Sequence, residues 1–433
     1  MYGLHNSTVA DITEFACFYL IQTAVPATLI VTTRKGSPLR HLCVPCMIWI
    51  AGRFIRPYGS SGSPAWCQAI TQLIIVTLQA TNVLLLNPLD NLDISREAKD
   101  NQSFVSHFVV AFRRLTQTRA IDTRWQVKNV PSHPAYYARR DMQVPVRNRF
   151  LLRQLAIAAW QYLVLDIVQT MSVQKSMERD LQMTGSPGIE WMVPVGQWAE
   201  RIITHLSIWF VVNRLICDLT YRVLSILFVG IGSDWPSDWP PVFGRMADVF
   251  TLRNFWGTFW HQFMRQPFTS ISDFVARRVL CLQRHSKAER YTNLFIVFLI
   301  SAVLHVVVDV LQSVPAERSG SMVFYLAFVP GIMFEDAVQG IWKQIAAVPK
   351  SRQVGEASLP AIVPPWKRAV GYIWVMLWLG VTSTWYFTPM IQSTQPDMQM
   401  VPFSVTKCIG LDTVVKIVVG GGAVIALVFE VEI

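Results

Sequence analysis

Nine stretches of this 433-residue chain are apolar over lengths that match or approach the hydrocarbon thickness of a bilayer. They run Thr13–Thr32, His41–Phe54, Trp66–Leu86, Phe150–Met171, Ile203–Gly230, Leu294–Leu311, Met322–Ile341, Ala369–Phe387 and Thr413–Phe429. A bilayer core of about 30 Å takes roughly 20 apolar residues per helix. A spanning backbone must satisfy its own polar groups, which helices do. The pattern therefore predicts an all-α polytopic membrane protein of eight to ten helices, forming one membrane domain over residues 1–433. The second stretch is short. The fifth is long and carries Arg214, Asp218 and Arg222, which allows two pieces. Composition agrees: 52% of residues are hydrophobic and 15% are charged, against about 25% charged in soluble domains.

The formal charge of +10 would suggest nucleic acid as a partner in a soluble protein. In a multi-span chain, basic cytosolic loops account for it better. Arg34, Lys35 and Arg40 follow the first span, and ten basic residues lie between Arg113 and Arg153 against Asp122 and Asp141. The stretches Arg265–Arg290 and Lys343–Arg368 are also basic. Placing all four in the cytosol gives nine spans, a luminal N-terminus and a cytosolic C-terminus. Asn6-Ser7-Thr8 is then a luminal glycosylation sequon, and Asn101-Gln102-Ser103 is cytosolic and unused. Asp11 and Glu14 precede the first apolar run where a cleavable signal would be basic, so that run is expected to stay as a helix. Residues 87–148 form the largest segment outside the spans, basic and rich in aromatic residues. Gly59–Ser63 and Pro349–Pro365 read as loops. Cys43 and Cys46 have CxxC spacing, but no second pair or His cluster accompanies them, and no metal site is expected.

Four constellations carry chemical interest. Ser301, His305 and Asp309 recur every fourth residue within Leu294–Leu311, one stripe of a helix. Ionisable residues at this depth are costly unless they face protein or water. His305 is a candidate general base that Asp309 would orient; the same stripe would also serve to tie helices together. In Asn254–Arg265, helical spacing puts Phe255, Trp256, Phe259, Trp260 and Phe263 on one face and Asn254, Thr258, His261, Gln262 and Arg265 on the other. An in-plane interfacial helix with its aromatics toward acyl chains is the expectation. Glu335 and Asp336 are adjacent carboxylates in an apolar span, suited to orienting a donor or to pairing with basic residues. Arg119 and Lys128, in Arg119–Asn129, suit phosphates of a coenzyme or of lipid headgroups, and equally a solvated basic loop.

At these residues the chain resembles a known family. Trp239-Pro-Pro-Val-Phe-Gly244, Thr251-Leu-Arg-Asn-Phe-Trp-Gly257 and Trp260-His-Gln262 resemble the wax-synthase-like branch of the membrane-bound O-acyltransferases. Phe298-Leu-Ile-Ser-Ala-Val-Leu-His305 resembles that superfamily's histidine-bearing helix. Arg119–Asn129 and Phe334-Glu-Asp336 are similar to further stretches of fungal members. The ordered likeness runs from about Arg113 to Gln344, with a catalytic core over residues 239–345.

The resemblance implies transfer of an acyl group from an acyl-CoA co-substrate to an alcohol, with no permanently bound cofactor and no metal. The donor enters from the cytosol and the acceptor from the bilayer or lumen, in the endoplasmic reticulum. His305 matches the family's histidine, and His261 matches the second active-site position, where many members carry Asn. Ala302 stands for the usual Gly before the histidine. Ala120 replaces a Gly in the basic segment and puts a turn there in question. Fungal proteins of this type acetylate terpenoid or meroterpenoid hydroxyls, so an acetyl donor and a bulky hydrophobic acceptor are expected.

His305 would take the acceptor's proton, and His261 or Asn254 would hydrogen-bond the oxyanion, with Trp256, Trp260, Glu335 and Asp336 in support. No GxSxG-type nucleophile motif is present, so direct transfer is expected over an acyl-enzyme. The alternatives are a long-chain wax ester or sterol ester synthase using the same residues, a membrane transporter with Asp309, Glu335 and Asp336 as ion sites, and a non-catalytic scaffold.

Overall fold

The computed structural model describes residues 9–58, 64–98, 103–138, 146–182, 195–346, 363–393 and 400–429. The Asn6-Ser7-Thr8 sequon, Asn101 and Gln102 of the second sequon, Gly59–Ser63 and nearly all of Pro349–Pro365 lie outside the described residues. The described residues contain helices and no strand. The long helices are α1 (Val9–Thr32), α2 (Pro38–Tyr58), α3 (Pro64–Thr81), α4 (Phe104–Thr116), α5 (Arg147–Gln182), α6 (Val195–Ser207), α7 (Arg214–Ile231), α8 (Arg265–Phe274), α9 (Lys287–Leu311), α10 (Ser321–Ala346), α11 (Pro365–Ser393) and α12 (Leu411–Phe429). The chain is thus an all-α polytopic membrane protein.

Each of the nine apolar stretches falls on a helix. Seven helical runs among the described residues are both long and apolar enough to cross a bilayer. The other two stretches lie on α2, with Arg40 and Arg53, and on the 29-residue α11. The long fifth stretch is not two separate helices. A π-helical segment, Ile208–Asn213, joins α6 to α7 into one helical path. Cys43 and Cys46 are both on α2.

Apolar side chains cover both the inside and the outside. Leu427 on α12 is 81% exposed and Val419 is 69% exposed, as expected where lipid rather than water is the neighbour. The interior is built mainly from aromatic rings. Trp209, Phe255, Phe259, Phe298, Phe324, Phe328 and Phe387 are all buried in one cluster. Their rings meet edge-on or offset, for instance Trp256 with Phe328 at 5.0 Å and 81°, the arrangement the ring quadrupole favours. Within this frame α9 packs along α10, and α11 packs against both α10 and α6.

Helix α4 is amphipathic and turns apolar side chains outward. Phe104, Val105 and Val109 are exposed on it, while Ala111 and Leu115 are buried. Its last turn holds Arg113 and Arg114, favourable near a C-terminus. Beyond it, the turn in question at Ala120 is formed: Ala120 sits at φ +49. A left-handed non-glycine residue costs about 1–2 kcal/mol. Ala120→Gly is therefore expected to raise stability by about 1 kcal/mol, less the added entropy of the unfolded chain. Unfolding of the detergent-solubilised protein checks this, and a fall in melting temperature would count against the strained turn.

Candidate active site

His305 stands on α9, whose start is fixed by the Ser286 hydroxyl accepting from the Glu289 amide. Its Nδ1 lies 2.8 Å from the carbonyl oxygen of Ser301. A carbonyl only accepts, so Nδ1 carries the proton and Nε2 keeps its lone pair. The ring packs on Tyr325, with centroids 4.3 Å apart, and Tyr386 meets it edge-on at 6.2 Å. The expected Asp309 partnership is not formed. Asp309 Oδ2 instead accepts from the hydroxyls of Ser319 and Ser321, both at 2.6 Å. The reason is directional: helical side chains lean toward the N-terminus. The His305 ring therefore reaches back to the turn of Ser301, while Asp309 receives the start of α10.

The segment Asn254–Arg265 departs most from expectation. It is not an in-plane helix, and its aromatic face does not meet lipid. A helical turn, Leu252–Asn254, begins at Thr251, whose hydroxyl accepts from the Asn254 amide. It widens into a π segment, Phe255–Phe259, and ends at Trp260, which is extended at φ −66, ψ 149. Helix α8 starts afresh at Arg265. Phe255 and Phe259 are fully buried, and Trp260 is 7% exposed.

Long-range partners make the break possible by satisfying the freed carbonyls. The Gly257 carbonyl accepts from Asn129 Nδ2 and Arg265 Nη1, both at 2.8 Å. The Phe259 carbonyl accepts from the Gly244 amide at 2.9 Å, and Trp256 from Gln262 Nε2 at 3.0 Å. Wide helical turns of this kind recur at functional sites.

The break delivers His261 into the interior. Its ring stacks on Phe263 at 5.2 Å and lies near Trp260 and Phe243. Its Nδ1 is buried and has no hydrogen-bond partner among the described residues. Burial, with smaller contributions from His305 and Arg119, pushes the imidazole down to about 4. His261 is therefore neutral at physiological pH. Trp256, on the π segment, packs among Phe298, Phe328 and Tyr325 at 5.8, 5.0 and 5.9 Å. Its Nε1 is likewise buried without a partner among the described residues, unusual for a buried indole. Trp260 meets Trp209 edge-on at 4.8 Å.

The remaining candidates brace this site. Asn254 Nδ2 donates to the Asp248 carbonyl at 2.9 Å. Glu335 accepts from the Leu252 amide at 2.6 Å and from Trp374 Nε1 at 2.9 Å. It thereby caps the turn that leads into the π segment. Asp336 accepts from Arg253 at 2.8 Å, Arg290 at 2.9 Å and the Tyr291 hydroxyl at 3.2 Å. The two carboxylates therefore tie α10 to the π segment and to α9.

Arg119 is turned inward and 4% exposed. It donates to the Pro240 and Pro241 carbonyls at 2.9 and 2.7 Å and to the Tyr221 hydroxyl. It clasps the Trp239–Gly244 loop instead of facing a phosphate, whereas Lys128 is exposed. Sequence reasoning missed Tyr325, Tyr386 and Trp209. Each lies in an apolar run and looks there like any other membrane aromatic.

The multi-span helical fold thus holds a tautomer-fixed imidazole, His305, and a second one, His261, joined through the rings of Tyr325, Trp256 and Trp260. The model of the Membrane bound O-acyl transferase family matches residues 239–327, the span holding the Trp239–Gly244 loop, the π segment and His305, and the chain belongs to this family. It is 37% identical to acetyltransferase spyB of Aspergillus fumigatus, over 96% of this chain and 71% of that one. It is 35% identical to acetyltransferase pyr8 of the same fungus, over 97% of each chain. Acetyltransferase TRI7 of Fusarium sporotrichioides is also 35% identical, over 99% of this chain and 96% of its own. No solved structure matches the chain. Family membership sets aside the transporter and scaffold alternatives.

Proposed function

We propose that this protein transfers an acetyl group from acetyl-CoA to a hydroxyl of a hydrophobic, terpenoid-like secondary metabolite. The observation that carries the reading is the free Nε2 of His305, fixed by the Nδ1 bond to Ser301. Nε2 removes the proton as the acceptor oxygen attacks the thioester carbonyl. A C–O bond forms, the C–S bond breaks, and the proton passes from His305 to the departing CoA thiolate. The carbonyl oxygen gains charge in the tetrahedral intermediate. His261 and the Trp256 indole N–H, both without other partners among the described residues, supply hydrogen bonds to it. A neutral His261 donates without adding a charge that would repel protonated His305.

The donor reaches the site from the cytosol and the acceptor from the bilayer or lumen, in the endoplasmic reticulum membrane. The curated relatives named as acetyltransferases favour acetyl over a long acyl chain. Membranes containing the protein are given labelled acetyl-CoA or palmitoyl-CoA with pooled terpenoid and fatty alcohols. Label is expected in an organic-soluble ester of a terpenoid, with acetyl-CoA the better donor. Preference for palmitoyl-CoA would instead make the protein a wax or sterol ester synthase using the same residues.

A further inference from the structure

Taking the acceptor's proton turns His305 into a cation inside a membrane span, where an uncompensated charge is costly. One answer to that cost is a carboxylate on the other ring nitrogen, which orients and steadies the imidazolium. His305 has none among the described residues. Its Nδ1 donates to the neutral Ser301 carbonyl, and Asp309, the carboxylate one turn on, is taken up by Ser319 and Ser321. What lies against the imidazole instead is Tyr325, with ring centroids 4.3 Å apart and 33° between the planes. Two rings set side by side cannot approach so closely, so the imidazole rests on the face of the phenol. That face carries the negative part of the ring quadrupole and attracts a cation within about 6 Å of the centroid. The attraction is weak for a neutral imidazole and grows as the ring takes up its proton. The face is also held in place beforehand. Tyr325 is 2% exposed, and Phe324, Trp256 and Tyr386 meet its ring at 4.9, 5.9 and 6.0 Å. Packing accounts for a buried aromatic in this cluster, but it does not require that the ring be laid against the base.

We infer that Tyr325 is a positioning residue whose ring face stabilises the protonated form of His305 while the acceptor oxygen attacks. The inference rests on the acyl-transfer reading and adds a part to it. The interaction strengthens only as the proton arrives, so it speeds the chemical step and leaves substrate binding alone. The phenol hydroxyl takes no part.

The full-length protein in lipid nanodiscs is assayed with acetyl-CoA and the terpenoid alcohol of the pool that it acetylates best. The single-turnover rate and the half-saturating concentration of each substrate are read for wild type, Tyr325→Phe and Tyr325→Leu. A further series places phenylalanines with one, two or three ring fluorines at position 325 by codon suppression. Fluorine draws charge from the ring face while hardly changing the ring's shape. Tyr325→Phe keeps the face and is expected to stay close to wild type. Tyr325→Leu is expected to lose roughly 5–30-fold in rate, the worth of a cation–π contact out of water, with half-saturation unchanged. Each added fluorine is expected to lower the rate further, with a melting temperature near that of Tyr325→Phe. Two results would overturn the role. A loss in Tyr325→Phe as large as in Tyr325→Leu would place the contribution in the hydroxyl, and a rate indifferent to fluorination would leave Tyr325 as packing only. If Tyr325→Leu does not fold, the fluorinated series decides alone. A wild type that releases no CoA with any acceptor sinks the acyl-transfer reading itself and the role with it.

Discussion

His305→Ala is expected to lower acetyl transfer by at least about 10²–10⁴-fold, the range a positioned general base contributes, while the protein still folds. The ring's one hydrogen bond is local, to the carbonyl four residues before it. Its other contacts are with Tyr325 and Tyr386, which are held by the aromatic cluster without it. Removing the imidazole therefore strips the base and leaves the frame standing. His305→Gln, closer in volume, should be as inactive, since an amide has no basic lone pair at this pH. The measurement is label transfer from acetyl-CoA at matched protein levels, with melting temperature followed in parallel. Full activity in either variant would remove His305 as base and leave the family assignment untouched.

Gly244→Ala is expected to cost about 1–3 kcal/mol or more and to take activity down with it. A Cβ at position 244 would stand 2.3 Å from the Thr258 carbonyl oxygen and 3.2 Å from the Phe259 Cα. Both are backbone atoms of the π segment, which has no flexible end to swing aside. The Gly244 amide also supplies the bond to the Phe259 carbonyl, so a backbone shift that relieves the clash stretches this bond and falls on the residues leading to His261. Gly257→Ala is the contrast: its Cβ meets nothing within 4 Å, and its melting temperature should stay near wild type. Comparing the two by thermal unfolding and transfer rate checks the close approach. Equal stability of Gly244→Ala and wild type would mean the loop and π segment are not packed together.

Much of the architecture was legible in the chain. The apolar runs marked the helices, and the four-residue spacing of Ser301 and His305 put both on one stripe of α9. Helical geometry alone joins them, so even the bond that fixes the tautomer is implicit in that spacing. Asp309 shows the limit of the same logic. Spacing allowed a bond to His305, but side chains lean one way along a helix, and the serines that claim Asp309 come from beyond the turn.

The sequence by itself determined a polytopic helical membrane protein, because apolar residues in bilayer-length runs have no other low-energy place to go. It determined the family too, through the ordered stretches from Trp239 to His305. Only the tertiary structure decided the active-site break. Read locally, Asn254–Arg265 alternates like an amphipathic helix. Asn129, Gly244 and Arg265 converge on its carbonyls and make a π turn and an extended Trp260 favourable in its place. The tertiary structure also turned Arg119 inward to the Pro240 and Pro241 carbonyls. Local propensity sets what a segment does alone, but a buried polar atom takes the partner that the packed fold brings near, and sequence distance does not say which one that is.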